Sequence, residues 1–186
     1  MMAPLNLVAL EEIVRGPLSR MLGVDAAGTP VNADQWDGYV ADRNRLLAQL
    51  DEQHGHGRTV FLTGDIHSEW ANRIEHEGRG IAAELVCTSI SAPNVDDLLR
   101  LGGGNPVSRA AAGHLLRHNP HISHVELDAH GYSVLTVGEA GVEMRWQRVD
   151  DVTVAGSSLH DGPVMRYDGA RLHRVAGTLN AAPSAS

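Results

Sequence analysis

Apolar positions along the chain come in short blocks set apart by glycine and polar runs. Leu5, Leu7, Val8, Leu10 and Ile13 recur at a helix-compatible spacing that Gly16-Pro17 interrupts, and residues 23–34, with Gly23, Asp25, Gly28, Pro30, Asn32 and Asp34, read as a loop. From Asp37 to His54, a rotation of about 100° per residue puts Tyr39, Val40, Leu46, Leu47 and Leu50 within an arc of about 120°. Asp42, Arg43, Arg45, Gln49 and Asp51 fall elsewhere. The spacing predicts an amphipathic helix with one buried face, ended by Gly55 and Gly57, with Asp37 well placed as its N-cap.

Thr59-Val60-Phe61-Leu62-Thr63 is a continuous β-branched and aromatic run between glycines and reads as a short buried strand. Helix, glycine turn and apolar strand in that order suggest one αβ step of a layered sheet. A second apolar run, 81–88, follows a polar segment. Residues 95–118 read as helix in two pieces broken at Gly102-Gly103-Gly104-Asn105-Pro106. Three strands in hairpin connection are expected at 125–127, 132–137 and 142–149, with turns at Asp128-Ala129-His130-Gly131 and Glu139-Ala140-Gly141. Residues 1–150 are thus taken as one domain and 151–186, rich in Gly, Ser and Ala, as a terminal extension with a disordered end at 181–186.

At 186 residues the chain is long enough to bury a core. No stretch nears the roughly 18 uninterrupted apolar residues of a membrane span, so a soluble chain is expected. Fifteen basic against 23 acidic side chains leave a net charge of −8, which lacks the basic patch of a nucleic-acid binder. The fifteen are all Arg, a feature of coding bias rather than chemistry. Cys87 is the single cysteine, so an intrachain disulfide and a cysteine-rich zinc site are excluded, and its apolar surroundings suggest a buried small hydrophobe. The start, Met1-Met2-Ala3-Pro4-Leu5, does not have the form of a secretory signal.

Candidate chemistry concentrates at Thr63-Gly64-Asp65-Ile66-His67-Ser68-Glu69-Trp70. A carboxylate and an imidazole two residues apart, directly after an apolar strand, sit where open α/β sheets place ligands. Asp supplies a hard oxygen and neutral His a nitrogen, which suits a divalent or trivalent cation that also holds phosphate oxygens. The plainer account is a turn in which His67 is satisfied by a backbone carbonyl. His114 and His118, one helical turn apart, are explained by an exposed helix face, and Asp128-Ala129-His130 by a hairpin tip. Asn119-Pro120-His121 reads as a helix stop before a strand. Ser68, Ser89 and Ser91 lie in no nucleophile signature.

Taken together, Asp34-Gln35-Trp36-Asp37-Gly38-Tyr39, the 63–72 segment just described with Ala71-Asn72, Glu84-Leu85-Val86-Cys87-Thr88-Ser89-Ile90-Ser91-Ala92-Pro93, Asn119-Pro120-His121-Ile122 and His130-Gly131-Tyr132 resemble, in order, the carboxyl-terminal half of the PhoD-like alkaline phosphatases of the metallophosphoesterase superfamily. The resemblance implies an α/β fold, a partial α/β/β/α sandwich with a C-terminal antiparallel strand group. It also implies metal-dependent phosphoester hydrolysis, with calcium and iron as cofactors. It assigns Asp65 and His67 to the metal site and to catalysis, and places Asp37, Asn119 and His121 near it as outer-sphere or substrate positions. Family members are usually exported.

The family's earlier elements, resembling G-D-Y-I-Y-E and W-D-D-H-E, are not in this sequence. The chain is therefore expected to supply only part of the metal shell and to have the missing N-terminal half as a partner. The alternative is a catalytically inactive remnant or a partner-dependent binding chain. A metal-independent binding module is expected only if Asp65 and His67 point apart.

Overall fold

The computed structural model describes Met2 and residues 35–54, 57–94, 96–97, 100–101 and 103–175. The helix expected over residues 5–14, the loop at 23–34 and the disordered end at 181–186 lie outside the described residues.

Helix α1 spans Val40–His54 and is entered through a 3-10 turn, Trp36–Gly38. Asp37 lies inside that turn rather than at the helix N-cap, because Gly38 N–H donates to the Gln35 carbonyl (2.9 Å) and Tyr39 N–H to that of Trp36 (3.1 Å) before the helix opens. Leu47 is buried, and Leu46 and Leu50 pack half-buried beside it against Ile74, Ile81 and Ala82. Tyr39 and Val40, expected on the same face, are exposed. Tyr39 has non-helical backbone angles, so the tighter turn ahead puts it out of phase with the helical period.

The first sheet has the order β1-β3-β2-β4. Strand β1 (Thr59–Thr63) runs parallel to β3 (Arg79–Val86), while β2 (Glu69–His76) is antiparallel to both β3 and β4 (Ile122–Glu126). The segment expected to be merely polar is thus the interior strand β2. Its Trp70, Ala71 and Ile74 are buried, but so are Glu69 and Asn72, and those polar residues mask the apolar pattern. Glu77-Gly78 joins β2 to β3 as a two-residue turn with φ of 48° and 76°, which matches the twist of a hairpin.

The second sheet is antiparallel, β5-β6-β7-β8, built from His130–Gly138, Gly141–Val149, Leu159–Tyr167 and Leu172–Arg174. The β5–β6 hairpin turns at Glu139-Ala140, as its sequence implies. Strand β4, however, is paired into the first sheet, so residues 127–129 cross between sheets and are not a hairpin tip. Strands β7 and β8 occupy the stretch read as a terminal extension. The exposed first half of β7 and its Gly162-Pro163 conceal a strand whose Met165 and Tyr167 are buried.

The sheets face one another through Ala71 and Leu85 on one side and Met144, Trp146 and Met165 on the other. The Trp146 indole N–H crosses the gap to the Val86 carbonyl (3.0 Å). On the opposite face of the first sheet, α1 covers Ile74 and Ala82, and α2 (Pro106–His118) brings Leu115 onto Trp70, Val86, Ile122 and Val125. Helix α2 starts inside the break expected at residues 102–106: Asn105 accepts the Ser108 N–H (2.9 Å), and Pro106 stands at the first helical turn.

A polar crosslink joins the sheets beside this core. Glu69, fully buried, receives both Nε (3.0 Å) and Nη2 (2.6 Å) of Arg148 from β6, and His124 Nε2 lies 3.1 Å from its Oε2. Burial works to raise the Glu69 carboxyl, but the hydrogen bonds and charges of His124 and Arg148 outweigh it and leave it below the ordinary glutamate range.

Gly57, between α1 and β1, has φ +84° and donates its N–H to the Ile81 carbonyl (3.1 Å). A Cβ at this position would overlap the Gly169 carbonyl in the β7–β8 turn. Gly57→Ala is expected to destabilise the chain by about 1–3 kcal/mol, read as a lower urea midpoint at unchanged slope; an unchanged midpoint would show that the turn yields freely.

Candidate functional site

Because β1 and β3 are parallel, the loops that follow them, 64–68 and 87–94, leave the first sheet at the same edge. Cys87 N–H extends the pairing one step by donating to the Thr63 carbonyl (2.9 Å). Cys87 is half-buried at this edge, a correction to its expected place inside the core.

In the first loop Ile66 N–H turns back onto the Gly64 carbonyl (2.8 Å), and Asp65 and His67 adopt φ of 70° and 53°. Left-handed backbone is uncommon for non-glycine residues and costs on the order of 1–3 kcal/mol each, so the surroundings must hold it. Ser68 does part of this. Its buried hydroxyl donates to the Ile66 carbonyl (3.2 Å) and accepts the Trp70 indole N–H (2.6 Å), tying the loop to β2.

His67 is half-buried, and its Nδ1 lies 2.8 Å from the Pro93 carbonyl in the second loop. A carbonyl only accepts, so Nδ1 carries the proton, and the neutral ring keeps its free lone pair on Nε2. The carbonyl anticipated by the plainer reading is present, and it leaves the imidazole in the form a metal ligand needs. Asp65 is exposed and has no hydrogen-bond or ion-pair partner among the described residues.

The second loop is itself fastened to the segment between the sheets. Thr88 Oγ1 donates to the Ala129 carbonyl (2.7 Å), Gly131 N–H to that of Ser89 (3.0 Å), and Asn94 Nδ2 to that of Asp128 (2.6 Å). His130 lies between them, its Nε2 2.8 Å from Asp97 Oδ2 and its Nδ1 3.3 Å from Ser89 Oγ. Hydrogen bonds from Asn94 and His130 draw the Asp97 carboxyl below its ordinary value. Nearby, Ser108 and Asn105 donate to the buried Asp96, and the Gly104 N–H donates to Asp128. Burial and the adjoining Asp96 and Glu126 carboxyls push Asp128 up against that bond.

The remaining sequence candidates sit elsewhere. Asn119 caps the end of α2: its amide and backbone N–H both reach the Leu115 carbonyl (3.0 Å), and its own carbonyl accepts the Ile122 N–H (2.9 Å). Glu69 pairs with Glu126 at the loop edge and Asn72 with Ile122, so Asn119 and His121 stand beyond the far end of β4, about 13 Å of strand from the loop edge. The described residues therefore do not bring them to Asp65 and His67. Asp37 remains in the turn ahead of α1, outside both loops. His118 is exposed, but His114 is buried beneath it, rings 4.3 Å apart, so the pair does not share one exposed face. Among the described residues, no three His, Cys, Asp or Glu side chains gather as a metal centre.

Sequence reasoning anticipated a backbone carbonyl on His67 but not that Pro93 supplies it, and it missed the His130–Asp97 pair. The only local hint was the repeated Asp-x-His spacing at Asp128 and His130.

Comparisons with known proteins point to one family. A family model of PhoD-like phosphatase matches residues 12–146, and the chain belongs to that family. It is similar to alkaline phosphatase D of Bacillus subtilis (strain 168), 29% identical over 152 residues, which cover 78% of this chain and 24% of that protein. It is also similar to the solved structure of PhoD, with a TM-score of 0.61 and 25% identity over 78% of this chain and 27% of that one. The chain thus spans about a quarter of the length of the relatives it matches.

Proposed function

We propose that this chain carries part of the active site of a metal-dependent phosphoester hydrolase of the alkaline phosphatase or phosphodiesterase type, with Asp65 and His67 as metal ligands. The observation that supports this most is the His67–Pro93 bond, which leaves Nε2 as the coordinating nitrogen two residues from a carboxylate with no competing cation among the described residues. A divalent or trivalent cation bound there, calcium or iron by family resemblance, would supply positive charge to the phosphoryl oxygens and acidify a water. The chain's own residues hold the loop in place. Ser68 and Trp70 pin its end to β2, and Arg148 neutralises the adjacent Glu69 so that its charge is not added to the site.

We read the described helices, mixed sheet and antiparallel sheet as three layers of a partial α/β/β/α metallophosphoesterase sandwich. We assign the remaining ligands to the N-terminal half of the family's domain, with that half as the partner of these residues and a phosphate ester as the substrate. The lack of a third ligand among the described residues also favours a second reading, a catalytically inactive chain that depends on its partner.

Calorimetric titration of the metal-stripped chain with Mn2+ and Ca2+, alone and with the supplied N-terminal half, separates these readings. Binding that weakens on the order of tenfold or more in Asp65→Ala and His67→Ala is expected, together with p-nitrophenyl phosphate hydrolysis only when both halves and metal are present. Metal binding without hydrolysis under those conditions selects the inactive reading. Full hydrolysis by a metal-free sample removes the metal mechanism.

A further inference from the structure

We propose that His130, held by Asp97, is a positioning residue for His67: it fixes the loop that presents the Pro93 carbonyl and thereby selects Nε2 as the free nitrogen of His67. The inference rests on the reading of His67 as a ligand but makes a separate claim about how that ring is oriented.

The connection is continuous in space. His67 Nδ1–H donates to the Pro93 carbonyl (2.8 Å). The preceding carbonyl, that of Ala92, accepts the Ser89 hydroxyl (2.5 Å), and the same Ser89 Oγ lies 3.3 Å from His130 Nδ1. On the other side of Pro93, Asn94 and Asp97 form a reciprocal pair, each backbone N–H donating to the other's side-chain oxygen at 3.0 Å. Asp97 Oδ2 then meets His130 Nε2 at 2.8 Å. One imidazole therefore lies against the loop both before and after Pro93, bonded to Asp97 through Nε2 and facing Ser89 with Nδ1.

That ring is itself anchored. His130 begins β5, its side chain is 11% exposed, and the Gly131 N–H next to it is bonded to the Ser89 carbonyl. The loop it grips has no strand or helix over residues 87–94. Proline cannot donate from its nitrogen, so Pro93 makes no ladder bond to hold itself. Its carbonyl direction is set by these neighbours. Outer-sphere partners that orient a ligating histidine typically change metal affinity 10–100-fold when removed.

The test compares the full chain with His130→Ala and His130→Gln after 15N labelling of histidine. Long-range proton–nitrogen spectra report the His67 tautomer, and Mn2+ titration reports affinity. Wild type is expected to show a single His67 tautomer protonated at Nδ1. In His130→Ala a mixture of both tautomers and a 10–100-fold weaker Mn2+ site are expected, while His130→Gln, whose amide reaches Asp97, recovers most of both. Gly57→Ala serves as the control for lost stability alone and should leave the tautomer unchanged. If His130→Ala does not fold, Asp97→Asn and Ser89→Ala provide the same comparison from the other side of each contact. A His67 ring that stays locked at Nδ1–H in the folded variants, or that is protonated at Nε2 in wild type, overturns the proposal. A wild-type chain that shows the locked ring but takes up no Mn2+ even with the N-terminal half supplied defeats the ligand reading and leaves the orienting role standing.

Discussion

Arg148→Ala should lower the unfolding free energy by about 3–5 kcal/mol, the cost of leaving a buried charge without its partner. Glu69 is fully buried between the sheets, and Arg148 supplies two of the hydrogen bonds to its carboxylate. His124 alone meets only Oε2. Removing both charges is a different experiment. In Glu69→Leu/Arg148→Met, apolar groups of similar length replace the pair, and stability close to wild type is expected. Urea unfolding of the single and double variants reads both outcomes; a loss under about 1 kcal/mol in Arg148→Ala would mean that water reaches Glu69.

The same pair sets an acid limit. The Glu69 carboxyl titrates lower in the folded chain than in the unfolded one, so the unfolded state binds the proton first as pH falls. Its contribution is complete above the unfolded glutamate range, near pH 4.3, and is lost as pH falls through the lower folded value. Wild type should therefore lose stability below about pH 4, and Glu69→Leu/Arg148→Met should lose less over that interval.

The parts of the fold legible in the sequence are those whose reasons are local. Helix α1 shows through the phase of Leu46, Leu47 and Leu50, and β1 through an apolar run bounded by glycines. The start of α2 shows through Asn105-Pro106. Strand β2 is hidden because Glu69 is buried by virtue of Arg148, 79 residues away, and Asn72 by hydrogen bonding to Glu84 in the neighbouring strand (3.0 Å). No window of local periodicity contains those partners. Strand β7 is hidden by Gly162-Pro163 at a register shift between Arg145 and Gln147, opposite Trp146.

The site divides along the same line. Asp65 and His67 are two residues apart in sequence, and the strand and glycine before them locate their loop. Which nitrogen of His67 is free depends on Pro93, 26 residues on, and the direction of that carbonyl depends on Asp97 and His130. Asn119-Pro120-His121 illustrates the converse. The resemblance places its polar residues near the site, yet Asn119 ends α2, as the helix-stop reading of the residues implies.

Trp146→Ala should cost about 3–5 kcal/mol, because the indole is fully buried at the centre of the contact between the sheets. Its surroundings come from several strands, Ala71, Leu85, Met144 and Met165 among them, so partial collapse of one neighbour cannot fill the space. Trp146→Phe keeps most of the volume and removes the donor to the Val86 carbonyl, for which a loss of about 1–2 kcal/mol is expected. That bond has a local consequence as well. Val86 is the last residue of β3, and Cys87 beside it is the step that brings the second loop against Thr63. Trp146→Phe should therefore speed amide exchange at Cys87 and Thr88 more than at Ile81 or Ala82 in the same strand, an imbalance measurable by hydrogen–deuterium exchange. Uniform acceleration along β3 would show that the indole contributes only bulk, and that the candidate site does not depend on this contact between the sheets.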